Sequence, residues 1–144
     1  MPHIVMNYSA NLESKSDIQL LCHSLADTLL AQRAEDGSQV FPTGGVRVFA
    51  YPAAHCAIAD GGAAAMEAGG DGDYGFVYIN LRMGLGRSPL VHRKVGDALL
   101  ASASAHFDPL FKRGHLGLTV QIDESPGQVY DGKRITLHPL FNKS

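Results

Sequence analysis

At 144 residues the chain is long enough for one domain with a core of its own, and 45% hydrophobic against 18% charged residues is an ordinary globular composition. A formal net charge of -2 provides no field to draw in nucleic acid or an anionic membrane, so attraction for an anionic ligand has to be local. No apolar run approaches the roughly 20 residues of a membrane span, and no charged segment followed by an apolar one reads as a signal peptide. Cys22 and Cys56 are far apart and form no C-x-x-C pair, which fits a reducing, cytoplasmic setting.

The chain opens Met1-Pro2, and the initiator methionine is normally removed before so small a residue, which leaves a secondary amine. Residues 3–8 read as a first strand. Ser16 suits a helix N-cap, with Gln19 completing a capping box. Ile18, Leu21, Cys22, Leu25 and Leu29 then fall on one face of a helix that runs to about Ala34. A turn at Phe41–Gly45 leads into a second strand, 46–51. Residues 59–72 are rich in Gly and Ala without a period, and read as a mobile loop.

A third strand at about 74–83 runs into Gly84-Leu85-Gly86-Arg87. Ser88 caps a second helix, with Pro89 at its first position, where a missing N–H costs nothing. Val91, Val95, Ala98, Leu99 and Ala103 form its apolar stripe. In a fourth strand Leu118, Val120 and Ile122 alternate with Thr119, Gln121 and Asp123. The tail, 125–144, is turn-rich. The order βαβ-βαβ repeats at about half the chain length. The expected fold is α+β: two right-handed βαβ units forming a four-stranded sheet with both helices on one face. Apolar residues of strands three and four are expected to cover the other face through a subunit interface.

Four residues stand out chemically. A terminal amine at Pro2 is a base that can work near neutral pH, and nearby cations or burial leave more of it neutral. From the sequence alone the plainer role, a proline that begins an edge strand, takes precedence. Arg87 follows a Gly-x-Gly turn and precedes a helix N-terminus, a setting that favours anions and lets a guanidinium grip a carboxylate; the alternative is a surface arginine after a flexible turn. Arg47 sits between Val46 and Val48, and in a central strand it needs a structural carboxylate or a substrate as partner. Arg82, near the end of the third strand, poses the same alternative. The seven histidines show no ligand spacing, so no metal is expected. Tyr74-Gly75-Phe76-Val77 matches the middle of an RNA-recognition signature, but Gly72-Asp73 stand where a basic residue and a glycine belong and Ile79 where an aromatic belongs, and no basic stripe accompanies it.

Taken together, Met1-Pro2-His3, Phe41-Pro42 to Gly45-Val46-Arg47, Asp73-Tyr74-x-Phe76-Val77 through Gly84-x-Gly86-Arg87-Ser88, and Leu116-x-Leu118 to Glu124 resemble the 5-carboxymethyl-2-hydroxymuconate Δ-isomerase family of the tautomerase superfamily. The resemblance covers roughly residues 2–124; the loop at 59–72 is longer than the family's usual one and the tail matches poorly. It implies a single tautomerase-like domain over 1–144, with a loop insertion at about 59–72 and a tail from about 125. It also implies a homotrimer with active sites at subunit interfaces. The implied reaction is a cofactor-independent double-bond shift in an unsaturated polycarboxylate dienol from aromatic-acid catabolism. On that basis Pro2 is the general base, and Arg47, Arg87 and Arg82 bind substrate carboxylates. No metal, nucleic acid or membrane enters the scheme. The alternatives are a non-catalytic oligomeric ligand-binding protein of the same fold and, behind it, an RNA-binding βαββαβ module.

Overall fold

A computed structural model describes residues 2–141 of the chain. Its strands are β1 (His3–Ser9), β2 (Arg47–Ala53), β3 (Gly75–Met83) and β4 (Leu116–Glu124); its α-helices are α1 (Ile18–Leu30), α2 (Ala63–Glu67) and α3 (Pro89–Arg113). The sheet order is β2-β1-β3-β4, with β1 parallel to β2, β3 parallel to β4, and β1 antiparallel to β3. The two βαβ halves therefore meet along the β1–β3 ladder, and the fold is the α+β arrangement expected from the sequence, a four-stranded sheet of two βαβ units.

Alternation decides which way each strand faces. Ile4, Met6 and Tyr8 of β1 and Val77, Ile79, Leu81 and Met83 of β3 are buried, together with Leu21, Leu25 and Leu29 of α1 and Val95, Leu99, Ala103 and Phe107 of α3. Both long helices thus lie on one side of the sheet, in one continuous core cluster. Each fully buried aliphatic or aromatic side chain contributes about 1.5–3 kcal/mol, so this layer supplies most of the folding drive. Cys22 packs against the cluster as a small hydrophobe, and burial pushes its thiol pKa up.

The other side of the sheet departs from expectation. The aliphatic residues of β3 and β4 all serve the helix side: Leu118, Val120 and Ile122 pack on the core. Facing away are Phe76, Tyr78, Asn80 and Arg82 of β3, opposite Gly117, Thr119, Gln121 and Asp123 of β4. Tyr78 donates to Gln121 at 2.8 Å and Asn80 to Asp123 at 2.7 Å, so β4's half of this face is a polar ladder. The Phe76 ring lies across Gly117, where any Cβ would stand 2.3 Å from it. The apolar residues that are exposed, Phe49, Tyr51 and Phe76, come from β2 and β3.

Element ends moved for local reasons. The N-cap of α1 is Asp17, whose carboxylate accepts from the Leu20 N–H at 3.0 Å; Ser16 instead meets His106 of α3 at 2.7 Å, and Gln19 turns to His23. The helix stops at Leu30, four residues early, because Arg33 and Gln39 bridge in a small antiparallel turn with Gly37 at φ +82°. β2 continues through Pro52, which an edge strand tolerates. The 59–72 segment holds the short helix α2, where no period predicted one. Asp60 accepts from Gly62 and Ala64 N–H groups, both at 3.0 Å, while Asn11 donates to Asp73 and to the Tyr74 carbonyl and Lys15 pairs with Asp73.

The Ser16–His106 contact joins the start of α1 to α3. Burial holds the His106 imidazole below its ordinary pKa of 6.5, with Asp17 acting weakly the other way. The unfolded chain therefore binds this proton more readily than the folded one. The stability this group contributes is complete above pH 6.5 and is lost as pH falls toward the folded pKa. His106→Gln, which keeps a partner for Ser16, is expected to flatten the decline in urea-unfolding stability between about pH 6.5 and 5. An unchanged slope in the variant would rule His106 out as its source.

Candidate active site

The site is built at the end of the sheet where β1 begins. Pro2, one residue ahead of β1, is buried. The ladders put His3 opposite Arg47 of β2 on one side and opposite Arg82 of β3 on the other. Arg47, His3 and Arg82 therefore form one row on the sheet face turned away from the helices, beside Pro2. Neither arginine needs a partner in the way a central buried one would. β2 is an edge strand, Arg47 is half-buried with its Nη1 donating to the Gly45 carbonyl at 3.2 Å, and Arg82 is exposed.

Arg87 reaches the same end of the sheet from the helix side. β3 stops at Met83, and the chain turns through Gly84 and Gly86, whose φ of +109° favours glycine. Ser88 then caps α3, its hydroxyl accepting from the Val91 N–H at 3.2 Å, with Pro89 at the first helical position as the sequence predicts. Between turn and cap, Arg87 donates to the Gly84 carbonyl at 3.2 Å and to the Val40 carbonyl at 3.1 Å. Its guanidinium lies 4.9 Å from the ring centroid of Phe41, which is fully buried. Desolvation lowers the Arg87 pKa from its ordinary value, opposed by the charge of Glu124. Arg87 thus ties the Val40–Phe41 segment to the Gly84–Gly86 turn and keeps further N–H donors.

Among the described residues, Arg47, Arg82 and Arg87 form no ion pair with a carboxylate. Glu124 is within 3.6 Å of His92 instead. Two hollows open at this end. One, of about 560 Å³, is lined by His3, Arg82, Gly84 and Leu85 and by Ser125 and Gln128 from the tail. The other, of about 440 Å³, contains Arg87, Ser88 and Val40 together with Glu35 and Asp36. Arg82 and His3 therefore share a cavity, whereas Arg87 stands in a separate one behind the sheet. A third hollow, of about 460 Å³, lies at the opposite end of β3, and its Lys15 is paired with Asp73. No group of three or more His, Cys, Asp or Glu side chains gathers for a metal among the described residues, and no helix there is long and apolar enough to cross a membrane.

The sequence did not reveal three contributors. His3 occupies the middle of the arginine row only because of the strand register. Ser125 and Gln128 come from a tail without periodicity; the Ser125-Pro126-Gly127 turn was its only readable signal.

Comparison with known proteins bears on the whole chain. A crystal structure of a 5-carboxymethyl-2-hydroxymuconate delta-isomerase is 52% identical and superposes with a TM-score of 0.95, covering 100% of this chain and 95% of the other. A 5-carboxymethyl-2-hydroxymuconate isomerase from Deinococcus radiodurans R1 is 32% identical with a TM-score of 0.79, covering 99% and 95%. The 5-carboxymethyl-2-hydroxymuconate Delta-isomerase of Escherichia coli is 27% identical over 142 residues, 99% of this chain and 91% of that one. The family profile for 5-carboxymethyl-2-hydroxymuconate isomerase matches residues 2–141, and the chain belongs to that family.

Proposed function

We propose that this protein isomerises 5-carboxymethyl-2-hydroxymuconate or a close relative, moving a double bond in a polycarboxylated dienol to give the conjugated ketone. The observation that carries the reading is the placing of three guanidinium groups at the end of the sheet where the chain begins, two on one face and one behind it, none of them in an ion pair among the described residues. Cations left without carboxylates suit a substrate that brings several of its own.

In this reading Met1 is removed and the Pro2 nitrogen is a free secondary amine. Nearby positive charge disfavours its protonated form, so a useful fraction is neutral near pH 7. The amine takes the proton of the substrate's 2-hydroxyl. The oxygen lone pair becomes the carbonyl, electron density moves along the diene, and the proton is delivered to carbon. One O–H bond breaks and one C–H bond forms. Arg47, Arg82 and Arg87 hold carboxylates and stabilise negative charge developing on oxygen and along the diene. No cofactor is invoked, because the dienol supplies its own electron pair. Arg87 also has a structural role, since through the Val40 and Gly84 carbonyls it ties the Val40–Phe41 segment to the Gly84–Gly86 turn. The proposal includes a cytoplasmic homotrimer acting in aromatic-acid breakdown. Its subunits meet through the sheet face that exposes Phe49, Tyr51 and Phe76, so that a neighbour completes each site.

Pro2→Ala is expected to lower kcat by about 10²- to 10⁴-fold, the usual worth of a positioned general base, with an unchanged urea midpoint. A protein shown by mass spectrometry to retain Met1 should be equally slow; full activity in that form would remove Pro2 as the base. Arg47→Gln is expected to lower kcat/KM by about 10- to 100-fold, equivalent to losing one charge-assisted hydrogen bond. Arg87→Ala should show a similar kinetic loss and also a lowered urea midpoint, since it abandons two carbonyls and the Phe41 ring. Arg47→Gln should leave that midpoint alone, and stability changes that reverse this order would argue against the division of roles.

A further inference from the structure

The family match ends at residue 141, and the chemistry assigned above uses nothing beyond β3 and the turn that follows it. The tail after β4 nevertheless returns to the site. Ser125 donates its N–H to the Met83 carbonyl at 2.7 Å, pinning the start of the tail to the end of β3. Gly127, at φ +104°, turns the chain, and Gln128 donates to the Ser125 hydroxyl at 2.8 Å. The tail then comes back to the first half of the molecule, where the short 3-10 turn His138–Leu140 packs on Thr43–Gly45. The fit is close: a Cβ on Gly44 would stand 3.2 Å from the His138 ring. The tail is therefore anchored at the end of β3 and again on the turn that precedes Arg47.

At the first of these anchors lies the 560 Å³ cavity, with the Met83–Leu85 strand end on one side and Ser125–Gln128 on the other. Among its lining residues Arg82 is the one permanently charged side chain. On the strands Arg82 is flanked by His3 and Asp123, and the Asp123 carboxylate accepts a hydrogen bond from Asn80 at 2.7 Å. Arg82 forms no ion pair among the described residues. The cavity thus offers a guanidinium, an amide side chain and a hydroxyl, with the Leu85 turn as its apolar edge.

We propose that this cavity is a subsite for the branching carboxylate of the substrate, with Arg82 and Gln128 as the residues that determine specificity for it. The subsite rests on the isomerase reading for its natural ligand, but its geometry is independent of Pro2. It is far larger than one carboxylate, and its span admits a carboxymethyl arm beside the main chain of a dienedioate. Arg82 supplies the charge. Gln128, held by Ser125, fixes the arm's position from the tail side. A dienol lacking the arm would leave this contact unused and bind through the other arginines alone.

The test uses unreactive acids, so that it does not depend on turnover. Isothermal titration of the processed protein with propane-1,2,3-tricarboxylate and with glutarate should give about tenfold tighter binding of the tricarboxylate, as one added charge-assisted contact provides. Arg82→Gln should abolish that preference while leaving glutarate binding within about threefold, and Gln128→Ala should reduce the preference in part. Gly44→Val, which crowds His138 and lies outside the cavity, should also reduce it by loosening the second anchor. The Arg82 side chain is exposed, so its variant is expected to fold, as a thermal melt would verify. Equal weakening of both acids by Arg82→Gln, a preference that survives it, or no measurable binding of either acid would each overturn the subsite. Wild-type protein that prefers the tricarboxylate yet fails to isomerise the dienol would instead overturn the proposed reaction and leave the subsite standing.

Discussion

The antiparallel ladder between β1 and β3 is the constraint on which the rest of the molecule depends. It joins two parallel βαβ halves into one sheet, and its register, His3 with Arg82 through Tyr8 with Val77, decides which residues meet helix and which do not. A slip of one residue would carry Ile4, Met6 and Tyr8 out of the core and turn His3 and Val5 into it. Because the strands run in opposite directions, the start of the first lies against the end of the third. The same pairing that closes the core therefore brings the beginning of the chain next to a Gly-x-Gly turn some 80 residues away.

That juxtaposition has an electrostatic cost. Three guanidinium groups share one end of the sheet without carboxylate partners among the described residues, and the protein offsets this with dipoles instead. Arg47 is met by the Gly45 carbonyl, and Arg87 by two carbonyls and the face of Phe41. Such partners hold a cation in place without neutralising it. Asp123 is hydrogen-bonded by Asn80 and Glu124 lies beside His92, while Glu35 and Asp36 share the hollow of Arg87 without pairing with it. The result is three cations held in place without ion pairs, at one end of a chain whose net charge is slightly negative.

Much of this architecture was legible in the sequence because it rests on period. The stripe from Ile18 to Leu29, the alternation through β4 and the Ser88-Pro89 helix start are local patterns, and each formed where expected. The errors came where a choice between neighbours depends on distant partners. Ser16 and Asp17 are both good caps, and the presence of His106, 90 residues on, gives the position to Asp17. Arg47 reads as a buried cation only if β2 is central, and sheet order is not written in the strand itself. The helix α2 forms between glycines because Asp60 and Tyr74 supply hydrogen bonds at its start, a reason with no periodic signature. At the site, Pro2, Arg47, Arg82 and Arg87 stood out by residue type and setting, but their division between two sides of the sheet follows from pleat and register. The tail's return was not readable at all, since Gly44 and His138 advertise no contact until both are folded.

The central position of β1 also governs how the chain emerges during synthesis. The first strand can pair with β2 once residue 53 is available, but its second edge stays open until β3, ending at Met83, has been made. Over that interval the nascent first half presents a bare line of N–H and C=O groups flanked by Ile4, Met6 and Tyr8, the pattern most prone to unwanted strand addition. The native partner for that edge is the matching inner strand of the second half. A chain terminated in the α2 region would therefore be a half-molecule whose best available substitute is the same edge of another half.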